Sequence, residues 1–134
     1  MAETQVEFEL VSPEKLLLSK SAEMVVVPGE EGDFGVLPRH SPMISGVRPG
    51  IIQVYEAGQV TDRIFVAGGF AEVTPARCTV LAEHAMPVGD IDRAKVEQEL
   101  KNLRDDLVDV KSDDDRAKVE QKIAVAEAMI QAVA

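Results

Sequence analysis

Two histidines, His40 and His84, one cysteine, Cys78, and 24 acids are the groups in this 134-residue chain whose types could do chemistry. A thiol and an imidazole brought together from distant positions make a nucleophile and its base. Histidine, cysteine and carboxylates at short spacing hold metals. Neither pattern is present. The histidines stand in separate segments, and no H-x-x-x-H or C-x-x-C spacing occurs. Cys78 falls inside Arg77-Cys78-Thr79-Val80-Leu81, a strand-like run in which a lone thiol packs as a small hydrophobe. Gly68-Gly69 lacks the Lys-Ser/Thr of a phosphate loop and leads into another strand-like run, so a bulge or close backbone packing is expected there. No catalytic residue and no metal ligand is assigned; the sequence reads as a binder, not an enzyme.

The densest constellation lies between Pro28 and Pro42, where three glycines, three prolines, three acids, Arg39 and His40 share fifteen positions. Glycine permits positive φ and close backbone approach, and proline fixes φ and removes a donor. Phe34, Val36 and Leu37 give the stretch apolar anchors that a linker lacks. It is expected to be a shaped loop presenting Glu30, Glu31, Asp33, Arg39 and His40 as a surface.

The formal charge of −10 excludes the basic footprint that nucleic acid demands and disfavours adhesion to, or insertion into, an anionic lipid surface. No apolar run approaches the roughly 20 residues of a spanning helix. No basic flank and apolar h-region mark a secretory signal, and one cysteine suits a reducing compartment, so a cytoplasmic location is expected.

The elements that position these residues obey two sets of rules. All nine glycines, all seven prolines and every aromatic precede position 90. This predicts a β domain over 1–87 and a helical domain over 88–134. In the first, Val6, Phe8 and Leu10 alternate with Glu7 and Glu9. Short runs follow at Leu16–Leu18, Met24–Val27, Gly35–Leu37, Ile51–Tyr55, Val60–Val66, Phe70–Val73 and Arg77–Leu81, with turns at Glu56–Gln59 and Thr74–Ala76. Short strands so punctuated favour a sandwich or barrel. In the second, Val96, Leu100, Leu103, Leu107 and Val110, then Val119, Ile123, Ala126, Ile130 and Val133, repeat at a–d spacing. These seams predict an antiparallel helical hairpin, capped by Asp90 or Asp92 and by Ser112 or Asp113.

Pro28-Gly29-x-x-Gly32-Asp33-Phe34-Gly35-Val36-Leu37-Pro38-x-His40-x-Pro42 closely resembles the signature of the epsilon subunits of F-type ATP synthases, the delta subunit in mitochondria. Val11-Ser12-Pro13-Glu14, Arg48-Pro49-Gly50, Gly68-Gly69-x-x-Glu72-Val73 and Thr79-Val80-Leu81-Ala82 are similar to further family segments. The resemblance implies a β-sandwich of about ten strands followed by a helical hairpin. It also implies a non-catalytic place at the foot of the central stalk, peripheral on the cytoplasmic face of a bacterial inner membrane. The implied contacts are Ser12, Glu31, Asp33, Arg39 and His40 with the c-ring, and Met43 and Val47 with the gamma subunit. In relatives the hairpin reaches the alpha and beta subunits and restrains ATP hydrolysis, and some relatives hold ATP through an I/L-D-x-x-R-A motif. Here that segment is Ile91-Asp92-Arg93-Ala94, two residues shorter, with Arg116 the one arginine of the second helix. The shortening turns Arg93 about 200° around the axis, which weighs against ATP, and no cofactor is expected. Outside the family, a free-standing sandwich that binds a peptide or sugar is the other reading.

Overall fold

A computed structural model describes residues 4–134, which divide between Pro87 and Val88 into two compact units. The first is built from β1 (Val6–Val11), β2 (Leu16–Ala22), β3 (Met24–Gly29), β4 (Gly32–Val36), β5 (Met43–Gly46), β6 (Gly50–Glu56), β7 (Gln59–Val73) and β8 (Arg77–Pro87). They form one sheet in the order β2-β1-β8-β7-β6-β3-β4, with β5 also on β7. Folded over, this sheet is a β-sandwich. Alternation decides which faces turn inward: Val6, Phe8 and Leu10 of β1 are buried while Glu7 lies on the surface. The core is aliphatic, built largely from Val25, Val27, Val36, Ile52, Val54, Val66, Val73 and Val80 around Phe8.

Among the described residues there are eight strands rather than about ten, because β7 and β8 each serve both layers. The first part of β7 pairs with β6 and the last part with β5; β8 starts beside β1 and follows β7 out to Pro87. The change of direction sits at Gly68-Gly69, without the bulge that was one expectation. Ala67 faces His84 and Gly69 faces Ala82, so the register is unbroken. Close packing is the reason for glycine: Gly69 holds φ +109°, and a Cβ there would run into the Leu81 carbonyl oxygen. Its own carbonyl accepts from the Val47 N–H at 3.1 Å.

The stretch expected as a loop at Pro28–Pro42 is mostly hairpin. β3 and β4 pair from Val25↔Val36 to Gly29↔Gly32, leaving Glu30-Glu31 as the tip. Gly32 and Gly35 lie on the edge strand β4, and Pro28 and Gly29 lie on β3 beyond Val26, where its pairing with β6 has ended, so missing donors are tolerated. Only Leu37–Pro42 remains irregular.

Lys20 ties β2 to the β6–β7 hairpin. Its Nζ lies 2.8 Å from Asp62 Oδ2 and 2.6 Å from Glu56 Oε2, and Thr61 Oγ1 stands 3.0 Å from each carboxylate. The hydrogen bonds from Lys20 hold both carboxyls below their ordinary range, and those carboxylates, Asp62 foremost, raise the ammonium above 10.5. The tip of this hairpin is Ala57-Gly58, both at positive φ (52° and 73°). That is the type I′ pattern, which Asn-Gly fills best.

The second unit opens with a 3-10 turn, Val88–Asp90, followed by α1 (Arg93–Asp109) and α2 (Asp113–Val133). Asp92 caps α1 by accepting from the Lys95 N–H at 3.2 Å, and Ser112 caps α2 by accepting from the Asp115 N–H at 3.1 Å. Val96, Leu100, Leu103 and Ala126 are buried in the seam, with Ile91, Val119, Ile123, Met129 and Ile130 against them. Val110 leaves the helix as C-cap at ψ 132°, ending the seam one residue early.

Ala57→Asn is expected to stabilise the sandwich by about 0.5–1 kcal/mol, because asparagine tolerates the left-handed region. Thermal unfolding followed by circular dichroism reads this as a Tm rise of a few degrees, and an unchanged or lower Tm contradicts it. Lys20→Met is expected to lower Tm at neutral pH only. Carboxyls with depressed pKa stabilise above 4.5 and 3.8 and lose that contribution as pH falls through their folded values; Lys20, raised above 10.5, loses its contribution as pH rises. The Tm gap between the two proteins should therefore close as pH falls below the ordinary carboxyl values and through the lowered folded ones; a gap constant with pH speaks against the clamp.

Candidate functional site

The residues singled out from the sequence hang on three anchors. Glu31 and Asp33 belong to the β3–β4 hairpin, where Arg48 clamps the turn. Its Nη1 donates to the Gly29 carbonyl at 2.6 Å and its Nη2 to Asp33 Oδ1 at 2.5 Å. Asp33 is thus held in place, and its side chain stays 60 % exposed. The tip is tied to β5 by the Glu30 N–H, 3.0 Å from the Gly46 carbonyl. Between them lies an open groove of about 460 Å³ lined by Glu30, Asp33, Phe34, Met43 and Ile44.

Arg39 and His40 sit on the next segment, secured elsewhere: the Arg39 N–H donates to the Pro75 carbonyl at 2.7 Å, and the His40 N–H to the Leu37 carbonyl at 3.1 Å. His40 Nδ1 lies 2.7 Å from the Ser41 carbonyl, so that nitrogen carries the proton of the neutral ring. Ser12 belongs to a third anchor, the tight turn after β1, where its Oγ accepts from the Lys15 N–H at 3.2 Å. The hairpin and the Arg39 segment are expected surface features and are both exposed, but each is fixed independently.

Of the two residues expected at a partner contact, Val47 is closed off, whereas Met43 is half-buried and borders the groove. Val47 is 5 % exposed and belongs to the core, and Met43 packs against it. Alternation along β5 turns Ile44 outward instead, at 72 % exposure. Ile44 borders a feature that sequence reading missed. Leu16, Val11, Leu81 and Phe70 are cross-strand neighbours on β2, β1, β8 and β7. Their side chains make one apolar row on an outer sheet face, with Leu16 at 55 %, Leu81 at 44 % and Phe70 at 61 % exposure. The signal lay in register, which a single strand does not reveal. Arg48 was also missed, although Arg48-Pro49-Gly50 stands among the motif residues.

The groups that could do covalent chemistry are set apart. Cys78 is buried in the core, and burial pushes its thiol up to about 12, so it is protonated at neutral pH. His84 is exposed on β8. Among the described residues no three metal-ligating groups cluster. The segment similar to a nucleotide motif is used internally: Ile91 packs on the helical seam, Asp92 caps α1, and Arg93 Nε donates to Glu97 at 2.9 Å. Ala94 and Arg116 are exposed on α1 and α2.

Comparison with known proteins agrees with this architecture. A family model for the beta-sandwich domain of the ATP synthase Delta/Epsilon chain matches residues 5–88, and one for the C-terminal domain of the ATP synthase epsilon chain matches residues 92–134. The ATP synthase epsilon chain of Paramagnetospirillum magneticum is 54 % identical over 134 residues, 100 % of this chain and of that one. That of Rhodospirillum rubrum is 53 % identical over 132 residues, 98 % of each. One polypeptide in the cryo-EM structure of the Euglena gracilis mitochondrial ATP synthase superposes with a TM-score of 0.85 at 25 % identity, covering 98 % of this chain and 82 % of that one. Another, in the Tetrahymena thermophila mitochondrial enzyme, shares the fold, with a TM-score of 0.68 at 11 % identity and 96 % of each covered. With a sandwich, a capped helical hairpin and full-length relatives in agreement, this chain belongs to the family of ATP synthase epsilon chains.

Proposed function

We propose that this protein is the foot of the ATP synthase rotor, a non-catalytic subunit that passes rotation between the c-ring and the gamma subunit. The observation that carries the reading is the apolar row Leu16–Val11–Leu81–Phe70 with Ile44 beside it, exposed on a molecule of net charge −10. An apolar strip spanning four strands is a surface that a partner covers. We assign it to the gamma subunit; of the two residues expected there, Val47 is buried and Met43 is half-buried beside Ile44.

The c-ring surface is made by the hairpin with Glu31 and Asp33, the Ser12 turn and the Arg39–His40 segment. Independent anchoring suits a part that transmits torque, since a contact that moves on its own loop would yield under load. Each exposed ion pair is worth only about 0–1 kcal/mol, so grip comes from several contacts on a stiff sheet. The helical unit, with its own seam and both N-caps satisfied internally, supports its role as a separate arm that restrains ATP hydrolysis through the alpha and beta subunits. With Asp92 and Arg93 engaged within α1, the arm works without bound ATP. No helix among the described residues is long and apolar enough to cross a membrane; the subunit is peripheral to a membrane-bound complex, on the cytoplasmic face of the bacterial inner membrane. The relatives give no support to a free-standing peptide- or sugar-binding module.

Phe70→Glu is expected to weaken binding to purified gamma subunit at least about tenfold, since a charge would be buried in the contact, with little change in the isolated protein's Tm. Unaltered affinity by calorimetry removes the row from the gamma interface. Asp33→Arg places a second guanidinium beside Arg48 and reverses the charge of the tip. Membranes reconstituted with this variant should hydrolyse ATP normally but pump fewer protons per ATP; unchanged coupling removes Asp33 from the ring contact.

A further inference from the structure

Three consecutive leucines on β2 have three different surroundings. Leu18 stands opposite Leu10 and packs on the core, and Leu16 stands opposite Val11 in the outer apolar row. The register slips between them, so Leu17 is the extra residue of a bulge, a device that re-aims a side chain. Leu17 is 37 % exposed and lines a groove of about 400 Å³ between β2 and the ends of β7 and β8. Leu10, Leu18, Ile64 and Ala85 join the groove to the core. Met86 lies opposite, beyond Leu81, where the pairing of β8 with β1 has ended and one side of β8 is free. The wall carries one acid and one base. Asp62, the acid, is taken by Lys20 at 2.8 Å. Arg63, the base, is exposed, and among the described residues no hydrogen bond or ion pair engages its guanidinium. Arg48, Arg77 and Arg93 each have a carboxylate of this molecule.

An apolar cleft of this size with a single open charge is the pattern of a small-molecule site. We infer that the groove binds a small amphipathic anion, a medium-chain carboxylate whose tail lies along Leu10, Leu17 and Leu18 and whose head pairs with Arg63. A cationic amphiphile finds no free partner, because Asp62 is already engaged. A carboxylate takes the planar fork of the guanidinium in two parallel bonds. A free carboxylate is favoured over a bilayer lipid because a molecule of charge −10 is repelled by an anionic membrane. The groove shares no residue with the surfaces assigned to the gamma subunit and the c-ring, so the inference stands or falls apart from the rotor role.

Titration of the full chain with sodium decanoate below its micelle concentration, followed by amide chemical shifts, tests this. Saturable shifts are expected at Leu17, Leu18, Arg63 and Ala85. The shorter hexanoate should bind at least about tenfold more weakly, since fewer methylenes are buried. Arg63→Gln should weaken decanoate about three- to tenfold and remove the preference over decyltrimethylammonium. Leu17→Ser should weaken decanoate and hexanoate towards the same low affinity. Both positions are exposed, so the variants keep the parent fold, which their unaltered circular dichroism would show. Arg104→Gln, at an unpaired arginine of α1, should leave binding unchanged. The inference is overturned by shifts that do not saturate or that fall outside the groove, by equal binding of the cationic amphiphile to the parent, or by equal losses in Arg63→Gln and Arg104→Gln. It is also overturned if the parent binds phosphatidylglycerol vesicles through Arg63 while soluble decanoate leaves the groove unshifted, since the site is then a membrane contact.

Discussion

A constant register between β7 and β8 across Gly68-Gly69 is the constraint from which the rest follows. Two long strands stay in register while turning through Gly68-Gly69, and so one sheet becomes two layers without an additional connection. That turn exists because Gly69 has no Cβ to meet the Leu81 carbonyl. On the inner side it closes an aliphatic core; on the outer side it aligns Phe70 with Leu81, the middle of the apolar row. Core and exposed apolar row are thus two sides of the same ladder. A substitution that disturbed the turn would reach the exposed apolar row as well as stability.

Stiffness is distributed accordingly. Lys20 fastens an edge strand to the β6–β7 hairpin, Arg48 fastens the β3–β4 turn, and Pro75 holds the Arg39 segment through its carbonyl. None of these contacts is strong alone, since each is partly solvated. Together they remove the independent loop motions that would let a coupling surface slip. The helical unit takes its stability from its own seam, with caps at both N-termini, and so keeps its fold as a separate unit.

Much of this was legible in the residues. Period-two alternation in Val6–Leu10 and a–d spacing in Val96–Leu107 report burial directly, since each depends only on local geometry. Ser112 and Asp92 were readable as caps for the same reason. What escaped was non-local. Gly/Pro density around Pro28–Pro42 signals unusual backbone, yet it does not distinguish a loop from an edge hairpin, because both tolerate missing donors. Only the pairing of β5 with β7 shows which alternate residue faces out, Ile44 rather than Met43. The row from Leu16 to Phe70 is assembled from four strands, and no window of sequence contains it.

The central claim is that the exposed apolar row is the surface the rotor covers. Hydroxyl-radical footprinting of the protein, free and within the assembled ATP synthase, reads side-chain exposure at each position. Assembly should suppress oxidation at Leu16, Ile44, Phe70 and Leu81 while other exposed apolar side chains of the sandwich, such as Val60, keep theirs. Undiminished oxidation of that row in the intact enzyme, with protection falling on other faces of the sandwich, would contradict the account.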